Sequence, residues 1–327
     1  MPKYYWENIN ELNSLLPTHK IFKSLGSIDR YGFSHLLAKQ CGLDKPPRTF
    51  AEWLHGWVWD DKPNPESLAV QKLRRNLQLI VRSEAERNAL IEAGFKNIAI
   101  GGLPFMYVNQ QHKFRNPYSL LAFPPHSAEA ERLNSNQEDY LDYLESIKNS
   151  FDGIYVSIFY LDWDGSMHFE AKKRGLHVIQ GSRPDDINSL IRMRAIFDSF
   201  SFVTSNTMGS HFMYALFAGC KFTFSGPWYY YDEDVLLANG NPHGYSSHAI
   251  RRSIEVQQFE YLKSRFENFF ANSPSEGSFG QNLAAEEMGQ RYRLSLHEIT
   301  HLLGWTWLGQ IQGYVGGGMR KIGASFC

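Results

Sequence analysis

Long apolar runs, paired cysteines and a charge imbalance are all missing from this 327-residue chain, and each absence removes a class of function. No stretch approaches the ~20 consecutive apolar residues needed to span a bilayer. The three cysteines, Cys41, Cys220 and Cys327, are widely spaced and odd in number. They fit a reducing cytosol, and neither a disulfide framework nor a Cys-based zinc site. A formal net charge of −1 supplies no global basic field, so a nucleic-acid partner is not expected. The opening MPKYYWENINEL is polar and lacks the apolar centre of a secretory leader. The expectation is a soluble, cytoplasmic protein, at most peripheral to the inner face of a membrane. No basic amphipathic helix stands out to support such docking, and repeats and low-complexity tracts are absent.

Aromatic residues, by contrast, make up 15% of the chain, enough to line clefts as well as fill cores. They cluster in YYW (4–6), WVW (57–59) and WYYY (228–231). Apolar content of 43% and charged content of 20% describe an ordinary folded protein, long enough for two medium domains.

Short apolar runs alternate with amphipathic segments, the pattern of α/β architecture. In the first part, FSHLLAKQ (33–40) reads as a helix, AEWLHGWVW as a strand-like segment, and LQLIV (77–81) as a buried strand. SEAERNALIEAG (83–94) reads as a helix, with Ser83 and Glu86 as a capping box and Gly94 as its left-handed stop. NIAIGGLPF (97–105) reads as a further strand, and the polar, proline-ended QQHKFRNP (110–117) as an interdomain linker. A second series then opens with YSLLAFPPHS (118–127). It continues with a helix at 137–149, strand 153–159, helix 167–174, strand 177–181, helix 186–198, strand 201–205, helix 209–218 and strand 221–226. Continuously apolar strands joined by crossover-length helices predict a parallel, doubly wound sheet. The fold class expected is two Rossmann-like α/β domains, 1–112 and 113–327, facing a cleft, with a helical C-terminal segment. Clefts between such domains bind small molecules at the strand C-termini.

The densest chemistry lies in FVTSNTMGSHFMYALFAGCKFTFSGP (202–227). Ser205, Asn206, Thr207, Gly209, Ser210 and His211 crowd the turn and the first helical turn after a strand. Small hydroxyl residues and glycine at a helix N-terminus offer free amides and the positive dipole end, which suits phosphate. The same residues also suffice for an ordinary N-cap cluster. FPPHS (123–127) holds the equivalent place after an earlier strand. Its two prolines force an extended exit, so that His126 projects at the strand end, able to contact phosphate or move a proton.

The order strand, SNTxGSH, helix, YAL, strand, SGP resembles the donor-binding half of GT-B-type glycosyltransferases of bacterial capsule and O-antigen biosynthesis. The likeness spans roughly residues 118–310 and is weaker before that. It implies an acceptor-side domain first and a nucleotide-sugar domain second, with no catalytic metal and no resident cofactor. Ser205, Asn206, Thr207, Gly209, Ser210 and His211 would surround the donor phosphates, with His126 facing the leaving group. FPPHS is also reminiscent of the His-Pro element of transferases that use CMP-sugars, with the order reversed, so CMP and UDP donors both stay open. The acceptor would be a saccharide or a lipid-linked saccharide. Inverting transfer needs a general base, for which LHGWVWDD offers His55 first, then Asp60 and its neighbour Asp61. Asp162 and Asp164 in LDWDG could reach sugar hydroxyls or form only a turn, and WYYYDED could stack a sugar or base.

A competing motif is HEITH, His297, Glu298 and His301 at the H-E-x-x-H spacing of zinc peptidases. The longer form of that motif would place a third histidine where Trp307 stands. Ser295 with Glu298 also makes a capping box, Leu294 and Ile299 stand at staple positions, and Gly304 at the stop. A zinc hydrolase and a non-catalytic nucleotide- or glycan-binding protein of the same shape are therefore the alternatives to transfer.

Overall fold

The computed structural model describes residues 5–23, 26–127, 137–230 and 246–314. Two parallel sheets organise the chain. The smaller has three strands in the order β1 (Ala51–Trp53), β2 (Gln78–Val81), β3 (Asn97–Ile100). Between β2 and β3 runs helix α3 (Glu84–Glu92), capped at Ser83, whose hydroxyl accepts from the Glu86 amide. Gly94 follows at φ 86°, the left-handed residue that ends the helix. The expected strand 97–105 is shorter: it stops at Ile100, and Pro104–Tyr107 forms a 3-10 turn in the core. Gly102 at φ 71° breaks it.

The larger sheet has five parallel strands: β4 (Asn116–Phe123), β5 (Gly153–Ile158), β6 (His177–Gln180), β7 (Phe200–Ser205) and β8 (Lys221–Phe224). Their spatial order is β6-β5-β4-β7-β8, so the chain winds outward from β4 in one direction, then returns and winds in the other. That is a doubly wound, Rossmann-like order, and its topological switch lies between β4 and β7. Alternation along β4 explains how both faces are covered. Leu120 and Ala122 pack with Tyr140, Leu141 and Leu144 of α4 (Glu138–Ser146) and with Met167 and Ala171 of α5 (Ser166–Lys173). Leu121 and Phe123 turn the other way, onto α6 (Ser189–Ser199) and α7 (Ser210–Phe217).

That second face is shared with the smaller sheet. Trp53, Trp57, Ile80, Phe105 and Tyr107 belong to one continuous apolar cluster with Phe197, Val203, Phe212 and Leu216. Phe105 stacks on Tyr214 with ring centroids 4.2 Å apart. The boundary at 112/113 falls between the sheets, but each end of the chain packs on the other unit. Helix α1 (Ile9–Leu15) and its neighbours lie on the larger one, where the Trp6 indole donates to the Ser199 carbonyl at 2.9 Å. Beyond β8 come α8 (Ser247–Glu255), α9 (Phe259–Phe266), α10 (Gln281–Glu287) and α11 (Leu296–Leu302). The chain here returns to the smaller sheet: Arg82 donates to the Glu287 carboxylate at 2.8 Å, and the Leu103 amide donates to the Met288 carbonyl at 2.9 Å.

The polar stretch 110–117, expected as a linker, is instead fastened to the larger unit. The Gln111 amide donates to Asp198 at 2.8 Å, and Arg115 donates to the Ala218 carbonyl at 2.7 Å. A guanidinium on the last carbonyls of α7 satisfies groups that the helix leaves open, and its charge suits that end of the dipole. Among the described residues no helix is long and apolar enough to cross a membrane.

Candidate functional site

The crevice at the β4/β7 switch opens into a cavity of about 280 Å³. Three of the loops around it carry the residues singled out in the sequence. The loop after β4 runs Phe123, Pro124, Pro125, His126; the two prolines keep the chain extended as it leaves the sheet. The loop after β7 brings Thr207, Met208 and Gly209 to the start of α7, with Ser210 and His211 in its first turn. From the smaller sheet come His55 and Gly56, just past β1.

Direct hydrogen bonds hold that last loop over α7. The Trp57 amide donates to Ser210 Oγ at 3.0 Å, and the Tyr214 hydroxyl donates to the His55 carbonyl at 3.1 Å. Gly209 is the N-cap of α7 in extended conformation and supplies no side-chain acceptor. A ligand acceptor can therefore take the amides of the first turn, where the helix dipole favours negative charge.

Each histidine is set differently. His126 is exposed, its Nδ1 meets the Ser127 carbonyl at 2.8 Å, and its ring lies 4.4 Å from that of Phe159. With Nδ1 donating there, Nε2 carries the lone pair. Asp162 braces this turn by accepting from the Ser127 amide at 2.9 Å, so it positions His126 and is not itself among the cavity residues. His211 stacks flat on Phe123 at 5.0 Å, and its buried Nε2 has no hydrogen-bond partner. Burial, then the charge of nearby His126, pushes its pKa down to about 3. His55 is lowered to about 4, by burial first and the Arg30 guanidinium second. Both rings show part of their edge to the cavity while protein surrounds the rest, so both are neutral at pH 7.

The other sequence candidates divide. Thr207, Gly209 and Ser210 line the cavity. Ser205 does not: its hydroxyl donates to the Phe123 carbonyl at 2.6 Å and accepts from the Thr207 amide at 3.2 Å, stitching the two loops together. Asn206 faces away, donating to the Pro227 carbonyl at 2.9 Å. It lines a neighbouring cavity of about 310 Å³ with Trp228, Tyr229 and Tyr230. The remainder of WYYYDED lies outside the described residues. Asp60 is also elsewhere, buried and held by Arg252 at 2.8 Å beside a third cavity. Asp61 shares that arginine at 2.7 Å.

Sequence reasoning missed Arg30, Tyr31, Ser157 and Ser182, all of which line the crevice. Ser157 and Thr207 are both buried, and neither hydroxyl has a hydrogen-bond partner among the described residues. No carboxylate lines the cavity among the described residues, so its formal charge comes from Arg30 and its proton acceptors are imidazoles.

HEITH takes no part in this crevice. Glu298 accepts from the Ser295 amide at 2.8 Å and the Ser295 hydroxyl at 2.6 Å, which completes the capping box of α11. His297 and His301 are exposed, and Gly304 at φ 70° follows the helix. No group of three or more His, Cys, Asp and Glu side chains able to hold a metal ion occurs among the described residues.

His55 and His211 make stability pH-dependent, in the same sense as His35, His112, His168 and His177, whose pKa burial also lowers. The unfolded chain takes up protons near pH 6.5, whereas the folded rings resist until about 4 and about 3. Stability is therefore highest above pH 6.5 and falls as pH drops below it. Each imidazole steepens the fall by up to about 1.4 kcal/mol per pH unit. Urea melts between pH 7 and pH 4.5 should show this slope, and His211→Gln should make it shallower by up to about 1.4 kcal/mol per pH unit.

No protein-family model matches the chain, and no curated protein is similar enough in sequence to count as a relative.

Proposed function

We propose that the protein is a glycosyltransferase that moves a sugar from a nucleotide-sugar donor to a hydroxyl of a saccharide or lipid-linked saccharide. The supporting observation is convergence. At the switch point of a parallel sheet, a helix start capped by Gly209, the Arg30 guanidinium and three imidazoles line one crevice. A cation, free amides and neutral histidines suit a phosphate-bearing ligand. On this reading the donor phosphates lie on Gly209, Ser210 and His211, with the unpartnered hydroxyls of Ser157 and Thr207 at the sugar. At about 280 Å³ the crevice is close to the lower end of small-molecule site volumes.

In the transfer step the acceptor oxygen attacks the anomeric carbon while His55 takes its proton. The bond from that carbon to the phosphate oxygen breaks, and its electron pair leaves with the phosphate. The α7 amides and Arg30 stabilise the growing charge, so the phosphate leaves as the anion while His55 keeps the acceptor's proton. The bound anion would raise the pKa of His55 from about 4, so the base strengthens only with donor in place. This division of labour is that of a GT-B-type enzyme of bacterial surface-polysaccharide assembly, working in the cytoplasm without a resident cofactor.

A thermal-shift panel of CMP-, UDP-, GDP- and dTDP-sugars tests the reading. One nucleotide class should raise Tm by several degrees, since a ligand at a hundred times its Kd adds about 2.7 kcal/mol. If no class stabilises the protein, the proposal fails. Binding without turnover, unchanged in His55→Ala, would make the chain a non-catalytic binder.

A further inference from the structure

The C-terminal helix is built inside out. Residues 307–314 are helical, and their large apolar side chains face solvent: Trp307 is 77% exposed, Leu308 62%, Ile311 42% and Tyr314 54%. The spacing 307, 308, 311, 314 places all four on one stripe of an α-helix. What faces the body is glycine. A Cβ at Gly313 would lie 2.3 Å from the Phe50 ring, and one at Gly309 only 2.8 Å from Gly304. Gln310 completes the seat, donating to the Arg48 and Gly304 carbonyls at 2.8 and 2.7 Å. Two glycines four apart thus let the helix lie close against the protein while its bulky face points outward. The apolar face belongs to the docked arrangement, and rotating it inward would require room that the Gly309 and Gly313 contacts do not leave.

A bilayer explains this better than a protein partner, on three grounds. Tryptophan and tyrosine are the residues that settle at the headgroup level, with leucine and isoleucine entering the acyl boundary. The surroundings carry positive charge: exposed Arg48 lies 5.4 Å from the Tyr314 ring, and its loop also holds exposed Lys45, offset by Asp44. Among the described residues no Asp or Glu follows Glu298. A second copy meeting this face about a two-fold axis would bring like charges together.

We propose that the face made by Trp307, Leu308, Ile311 and Tyr314 docks the protein on an anionic lipid surface, reversibly and without spanning it. The inference stands apart from the transferase reading.

Co-sedimentation of the full chain with phosphatidylglycerol-rich vesicles, against phosphatidylcholine alone, tests it. The full chain should bind the anionic vesicles at least about tenfold more tightly, with affinity falling as salt rises. Trp307→Gln with Ile311→Gln should remove most of that binding. Both positions are solvent-exposed, so circular dichroism and Tm should stay unchanged, separating lost docking from lost fold. Arg48→Glu should weaken binding while keeping the apolar face. Absence of vesicle binding, or binding that the double variant retains, overturns the proposal. So does a wild-type dimer in light scattering that the double variant converts to monomer, which would assign the face to a second copy.

Discussion

His55→Asn should slow sugar transfer by about a hundredfold to ten-thousandfold, the usual worth of a positioned base, while nucleotide affinity changes little. Single-turnover rates and calorimetric titration of the same preparation check both halves. The backbone at His55 is retained in the variant, so the Tyr214 hydroxyl still has its carbonyl to donate to. The Trp57 amide keeps Ser210 as well, so the geometry of the α7 start survives. A loss confined to rate would identify His55 with the proton transfer and not with the phosphate. His126→Asn, by comparison, should depress rate and affinity together if, as proposed, it lies beside the leaving group. If His55→Asn keeps its rate and His126→Asn loses it, the base is His126.

The second large effect is on stability. Gly32→Ala should cost about 3 kcal/mol or more, read as a shift of the denaturant midpoint at constant slope. Gly32 sits at φ 75°, where an L side chain is strained, and a Cβ there would lie 1.9 Å from the Ile187 carbonyl oxygen. The carbonyl belongs to the turn before α6 and cannot swing aside as a long side chain would. Tyr31, the preceding residue, is itself left-handed at φ 60°, with its amide donating to the Pro184 carbonyl at 2.9 Å. Arg30 and Tyr31 line the crevice, so the same substitution should weaken nucleotide binding in whatever fraction remains folded. A midpoint that stays in place would show that this seat is not rigid.

How far the sequence revealed this arrangement depended on range. Elements with a strong period and clear punctuation were legible: helix 33–40 forms over Phe33–Gln40, and α3 and α11 both start after the expected serine. Only α11 closes its capping box, the Glu86 carboxylate accepting from the Arg82 amide instead of the Ser83 amide. The alternation of β4 through β8 with helices led to a doubly wound sheet, and the loop 205–211 was recognisable as a helix start beside a strand end. Direction of side chains within that loop was not legible. Ser205 and Asn206 have the composition of ligand contacts, yet a one-residue alternation turns Ser205 into the sheet and Asn206 toward Trp228. Asp60 failed for a similar reason. Its partner, Arg252, is 192 residues away, so nothing local marks it as paired. Arg30 and Tyr31 reach the crevice from a short irregular turn with no periodicity to read. The outward stripe of residues 307–314 was hidden by the glycines that make it possible, since glycine in a tail ordinarily signals loop.

The central claim is that one crevice at the β4/β7 switch holds the nucleotide, between His55, His126 and His211. Histidine-selective NMR observes it directly, because ring carbon-bound protons report each imidazole separately. On addition of the stabilising nucleotide sugar, the signals of His55, His126 and His211 should move together and saturably. Those of His297 and His301, exposed on α11, should stay where they are. Movement of the α11 pair with the three crevice signals unmoved would contradict the account.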